Sequence, residues 1–211
     1  MESLPQIEQA LGMMSGPPSY SLNVLMQRRS VKAKNLIEPG PSDMMLQDIL
    51  RASMRVPDHG MLAPWRYVIV ERQQRPAFGK LLRRCYESDV TEPKRGQADA
   101  LEQFVLEAPC LIVLLSRPDA KSPIPVWEQQ LSAGAACMML LSAAHASGFA
   151  GVWLTGPAAY CASLPEQIGH PDARVAGFFF LGTPSTPPEE RPRPDPSQII
   201  SYWRPEIQSP D

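Results

Sequence analysis

Apolar positions recur at helical spacing in several stretches of the chain, and between them stand short unbroken apolar runs of strand length. Leu22, Leu25 and Met26 predict a short helix over residues 21–29, with Arg28, Arg29 and Ser30 at its end. Ser42 is a good N-cap for a second helix, whose face Met45, Leu46, Ile49, Leu50 and Met54 form before Pro57 stops it. Residues 67–70 read as a strand. Phe78, Leu81, Leu82 and Cys85 mark a helix over 75–88, and Leu101, Phe104 and Val105 mark another. Residues 110–115 are apolar throughout, which predicts a strand covered on both faces. A long helix over 127–147 carries Gly134, Ala135, Ala136, Ala143 and Ala144, small residues that admit a closely packed neighbour. A short helix near 164–168 and an aromatic-rich strand at 175–181 complete the pattern.

The two ends differ from this middle. Residues 1–20 are loosely patterned and close on the breaker cluster Gly16, Pro17, Pro18 and Ser19. Residues 183–197 are crowded with proline, which predicts an extended arm, and Ile199, Ile200, Tyr202 and Trp203 then supply an apolar tail. Such a tail needs a surface to pack on. Its own domain and a second subunit both remain open at this point.

Composition narrows the classes. A chain of 211 residues with 24 prolines, twice the usual ~5% share, is cut into short elements. With 44% hydrophobic residues it can bury a core, and a formal charge of −2 gives no nucleic-acid footprint. The N-terminus lacks a secretory pattern, and the most apolar stretch, 131–146, falls short of the ~20 residues that cross a bilayer. A cytoplasmic protein without membrane contact is expected. Cys85, Cys110, Cys137 and Cys161 form no CxxC pair, and His59, His145 and His170 stand apart from carboxylates at ligand spacing, so no metal site is expected.

The common glycine, P-loop, zinc-peptidase and hydrolase signatures are absent. Asp58 and His59 adjoin in sequence, but neighbouring residues rarely face one another, which argues against an acid–base pair. Arg28, Arg29 and Ser30 have two readings from the residues alone: a solvated basic helix end, or a cradle that grips phosphate through charge-assisted hydrogen bonds.

A resemblance bears on that choice. Arg28-Arg29-Ser30, residues 49–59, Pro64-Trp65, Trp127-Glu128-Gln129 with Ser132-Ala133-Gly134, residues 148–153, and Gly177-Phe178 with Leu181-Gly182-Thr183-Pro184 appear in the order found in the flavin-dependent nitroreductases. The chain resembles the minimal bacterial NAD(P)H nitroreductases of that family. The resemblance implies an α+β fold, a mostly antiparallel sheet surrounded by helices, in an intertwined homodimer. It divides the chain into an N-terminal extension (1–20), an FMN-binding domain (21–183) and an arm with a tail packing on the partner (184–211).

It also implies FMN as cofactor, with Arg28, Arg29 and Ser30 on the phosphate and polar chain. Arg55 and His59 would contact FMN in the partner's site, and Trp153, Leu154 and Thr155 would run beside the ring system. NADH or NADPH would donate electrons to a small electron-poor acceptor, a nitroaromatic or quinone, by ping-pong hydride transfer with no catalytic side chain. A flavin-binding sensor with little turnover, or dehalogenation or flavin fragmentation on the same fold, are the alternatives. Ala63 replaces a glutamine common in relatives, and Leu154 a basic or polar residue, so a more apolar pocket is expected.

Overall fold

A computed structural model describes residues 18–204. The expected N-terminal extension therefore lies, but for residues 18–20, outside the described residues, as do residues 205–211 of the tail.

The fold is organised around its last strand. Elements run in the order α1 (Pro18–Gln27), β1 (Leu36–Ile37), α2 (Asp43–Ser53), β2 (Trp65–Ile69), α3 (Arg75–Asp89), α4 (Arg95–Phe104) and β3 (Cys110–Ser116). Then follow α5 (Val126–Ala146), β4 (Ala150–Leu154), α6 (Ser163–Gln167), β5 (Arg174–Pro184) and α7 (Pro196–Ile199). β5 pairs with β3, with β4 and, at its end, with β1, while β2 takes the far edge of β3; every pairing is antiparallel. The expectation of a mostly antiparallel sheet among helices holds.

Strand periodicity assigns the core. Leu111, Val113, Leu115, Phe178 and Phe180 face α3 and α4, where Phe78, Leu82, Cys85, Ala98 and Leu101 meet them. Ile112, Leu114, Phe179 and Leu181 face the other way, onto Leu46, Ile49 and Leu50 of α2 and Ala136, Cys137 and Leu140 of α5. Because successive strand side chains point to opposite faces, an unbroken apolar run buries both. Phe178, Phe179 and Phe180 are each fully buried, and each contributes about 1.5–3 kcal/mol relative to exposure. Phe104 sets its ring edge against Phe178 and Phe180, with centroids 5.4 and 4.9 Å away.

The element boundaries expected for α3, β3 and α5 fall within one or two residues of those observed. Ser42 caps α2, its Oγ accepting from the Met45 amide at 3.4 Å. Met45 and Met54, expected on the core face of α2, are instead exposed, because the buried stripe is the narrower set Leu46, Ile49 and Leu50. The small residues of α5 split between two roles. Ala133, Ala136, Ala143 and Ala144 let the helix lie close on the sheet, whereas nothing stands within 4 Å of where a Cβ on Gly134 would be.

Candidate functional site

The end of α1 is stitched to the outer edge of β4. Ser30 bridges Gly151 in parallel fashion, and the Val31 amide donates to the Gly151 carbonyl at 3.2 Å. Arg28, Arg29 and Ser30 are thereby set beside the C-terminal end of α5. Arg28 is half-buried, and its Nε and Nη1 are enclosed without a hydrogen-bond partner among the described residues. Burial lowers its pKa, and the neighbouring Arg193 and Arg29 lower it further. The same cations act on His145 near the end of α5, where burial first, and then Arg28 and Arg29, lower the pKa.

Among the described residues one carboxylate answers this cluster. Arg29 donates to Glu190 through Nε at 2.7 Å and also through Nη2, and Arg193 stands 3.8 Å from the same carboxylate. Three guanidinium groups against one carboxylate, with two donor nitrogens buried and unpaired, is a poor arrangement for a site meant to stay empty. It suits a phosphate, which brings about −1.5 to −2 charges and three acceptor oxygens. The basic residues present therefore fit a phosphate-bearing cofactor.

From this cradle β4 leads to an apolar cleft. Trp153 stands two residues beyond Gly151, and Thr155 four residues beyond, about 13 Å along an extended chain. The Trp153 indole Nε1 donates to the Ala176 carbonyl at 2.9 Å, and its ring stacks on Phe179 with centroids 5.5 Å apart and planes 29° apart. The ring lies directly over Gly177, where a Cβ would stand 2.1 Å from Nε1 and 2.3 Å from Cδ1. Only glycine leaves room for it. Gly177→Ala is therefore expected to lift the indole off the sheet at a cost of about 1–3 kcal/mol, read as a lowered Tm and a red-shifted tryptophan emission. An unchanged emission maximum would count against this account.

Trp153, Ala133, Gly134, Cys137, Val126 and Ala176 are among the residues lining this cleft of about 560 Å³. Cys137 is fully buried, and burial pushes its thiol up to about 12, which leaves it inert at neutral pH. Leu154 and Thr155, half-buried, continue the strand edge past the indole.

Arg55 and His59 lie elsewhere. Both are exposed, and the His59 Nδ1 meets the Glu128 carboxylate at 2.9 Å, in the first turn of α5. Asp58 does not serve His59 as an acid–base partner. It fixes the turn instead, accepting from the Leu62 and Ala63 amides at 3.2 and 2.8 Å, while Met61 and Ala63 take left-handed backbone angles of φ 54° and 46°. Ser132 anchors the same loop to α5 by donating to the Pro57 carbonyl at 2.6 Å. Glu128 and His145 are 17 helical residues apart, about 26 Å along α5. Within one chain, then, the His59 and Arg28 groups sit at opposite ends of a long helix.

Sequence reasoning missed Arg193 and Glu190, which lie in the arm read only as a spacer. It also missed the contact between Glu128 and His59, although both belong to motifs it singled out.

A half-enclosed basic cradle, a strand edge leading from it and an aromatic-walled cleft, all on an antiparallel α+β sheet, define a nucleotide-cofactor-binding fold. The sequence model of the nitroreductase family matches residues 25–183, three quarters of the chain. The Escherichia coli K12 protein named "Putative NAD(P)H nitroreductase YdjA" is 33% identical over 185 residues, which cover 87% of this chain and 99% of that one. The chain belongs to the nitroreductase family. A nitroreductase-like protein from Bacillus cereus superposes with a TM-score of 0.73 at 22% identity, over 86% of this chain and 95% of that one. A nitroreductase with bound FMN from Desulfitobacterium hafniense gives a TM-score of 0.62 at 20% identity, over 87% and 98%.

Proposed function

We propose that the protein is an NAD(P)H-dependent FMN oxidoreductase that delivers electrons to an electron-poor small molecule, a nitroaromatic or a quinone, in ping-pong fashion. The observation that carries this reading is the pair of buried Arg28 nitrogens, without a partner among the described residues, beside Arg29 and Arg193. Family membership and the names of the relatives above support it. FMN, when bound, supplies the hydride chemistry. The chain's own residues do the rest: Arg28, Arg29, Ser30 and Arg193 grip the phosphate, and Trp153, Leu154 and Thr155 shape the edge beside the ring system. The cleft next to Trp153 receives the acceptor. Purified protein is expected to be yellow, or to become so with FMN, and to bleach rapidly with NADH or NADPH in stopped flow. Protein that stays colourless after incubation with FMN would sink the proposal, and reduction at background rate would leave a flavin-binding module in its place.

The site is shared between two copies of the chain. Arg55 and His59 cannot reach the cofactor held by their own Arg28 across the length of α5, so they serve the partner's. Two surfaces fit such an assembly. Trp127, Leu131 and Met138 form an exposed apolar stripe on α5, and Ile199, Ile200, Tyr202 and Trp203 are exposed rather than packed on their own domain. Each FMN then links two subunits and stabilises the pair by mass action. Cutting the chain after Ser197 is expected to yield a species that dissociates more readily and loses flavin along with its dimeric mass. Analytical ultracentrifugation followed at flavin wavelengths checks this, and a monomer retaining stoichiometric FMN would refute the shared site.

A further inference from the structure

The Trp153 cleft does not end at α5. Pro118, Ala120 and Asp172 form part of its wall, and the same three residues line a second hollow of about 620 Å³ on the loop between β3 and α5. The two chambers differ in chemistry, the inner mainly apolar and the outer mixed. The inner one is walled by an indole, alanines and valine, whereas the outer one presents Arg66, Arg117 and Lys121, with Arg174 in the inner wall. Four cations face two carboxylates, Asp119 and Asp172, on a chain whose formal charge is −2.

Those carboxylates are partly committed. Asp119 Oδ1 accepts from the Lys121 amide at 2.9 Å, and Asp172 stands 3.7 Å from Arg117. Among the described residues Arg66, Lys121 and Arg174 make no ion pair. Arg66 is aimed by its own backbone, its Nη1 donating to the Ala63 and Trp65 carbonyls at 2.8 and 2.6 Å.

The loop that carries these charges is held rigidly. Gln129, 2% exposed, accepts from the Asp119 amide at 2.7 Å and donates to the Asp119 and Ile124 carbonyls at 3.0 and 2.9 Å. The Arg117 amide donates to the Pro64 carbonyl at 2.9 Å. A surface loop placed for solubility alone has no need of a buried amide gripping it at three points. The loop backbone is thus fixed at the mouth of an apolar slot and the Arg66 guanidinium is held beside it, which lowers the ordering that binding an anion there would cost.

We propose that this basic annex binds a compact oxyanion, a carboxylate or a phosphate, carried by the aromatic molecule that occupies the Trp153 cleft. The inference rests on reading that cleft as the place where reactants meet the flavin, and it narrows their class to amphipathic aromatic anions. The anion has two possible sources. It belongs either to the acceptor, as an aryl carboxylate, or to the electron donor, as the ribose phosphate that distinguishes NADPH from NADH.

The test is calorimetric titration of the FMN-loaded protein with benzoate against benzamide, and with adenosine 2'-monophosphate against adenosine. The expected result is that at least one anion binds about fivefold or more tightly than its neutral counterpart, and that the advantage shrinks as salt rises from about 0.01 to 1 M. Arg117→Gln with Lys121→Gln, both at exposed positions, is expected to abolish the advantage without lowering the Tm. Preference for benzoate alone assigns the anion to the acceptor, and preference for adenosine 2'-monophosphate alone assigns it to the donor. Equal binding of both anions and their neutral counterparts overturns the proposal, as does a preference that survives high salt and the double variant. Because binding is read without turnover, failure to reduce 4-nitrobenzoate or 4-nitrobenzamide with NADH or NADPH would count against the nitroreductase reading alone.

Discussion

Replacing Arg28 by alanine is expected to weaken FMN binding by about tenfold or more while leaving the fold intact. A charge-assisted hydrogen bond contributes ~1.5–3 kcal/mol, and each 1.4 kcal/mol is a factor of ten in affinity. The apoprotein provides a second reading of opposite sign. In it the Arg28 Nε and Nη1 are buried, without partners among the described residues, and pressed by Arg29 and Arg193, so removing the side chain relieves a cost rather than creating one. The apo Tm is therefore expected to hold or rise, and the upward shift of Tm on adding FMN to shrink. Flavin fluorescence titration and thermal unfolding measure both. An affinity equal to that of the parent would return Arg28 to the role of a helix-end cation.

Arg75→Ala is expected to destabilise the protein by about 3–5 kcal/mol, with a fall in Tm of about 10 °C. Arg75 is 3% exposed and makes no ion pair among the described residues. Its guanidinium donates to the carbonyls of Glu107, Ala108 and Pro109 at 3.2, 2.6 and 2.6 Å, and more weakly to that of Val70 at 3.4 Å. Burial lowers its pKa, yet an arginine so placed stays charged. It pins the turn in which Ala108 takes φ 56°, immediately before β3. Without it those carbonyls lose their donor and a cavity opens beneath the turn. Arg75→Lys, with one ammonium in place of a planar fork, should recover only part of the loss. Urea unfolding of the three proteins checks the order, and a loss below about 1 kcal/mol for the alanine variant would refute the pinning role.

Periodicity made most elements legible because each rests on one dominant pattern. The unbroken run at residues 110–115 suggested a strand covered on both faces, and Leu111 to Leu115 are buried in such a strand. What periodicity could not tell was which apolar residues pack within the chain. Met45 and Met54 lie on the apolar side of α2 but outside its buried stripe, and the exposed Trp127, Leu131 and Met138 of α5 look in sequence no different from its buried Cys137 and Leu140. A helix apolar all round announces burial without saying against what.

In the proposed site, both Arg28 to Ser30 and Trp153 were singled out through the resemblance. The pairing of Arg29 with Glu190 spans 161 positions and follows no period, so the arm's charges passed for a solvated spacer. Asp58 was read correctly as no partner for His59, while its actual task of holding two amides of a strained turn had no sequence signal.

The position of β5 at the centre of the sheet has a consequence for how the protein is made. Its partners β1, β3 and β4 are all encoded before it, β1 by nearly 140 residues, and among the named strands β1 and β4 pair with nothing else. A chain that ends at Ala173 therefore holds two strands with no mate and a β3 with one edge open. Long-range pairing of this kind is slow, and open strand edges invite association between nascent chains. The aromatic strand that completes the sheet is also the step that ends this exposure, so chains cut short before Arg174 should accumulate as aggregates, not as smaller folded domains.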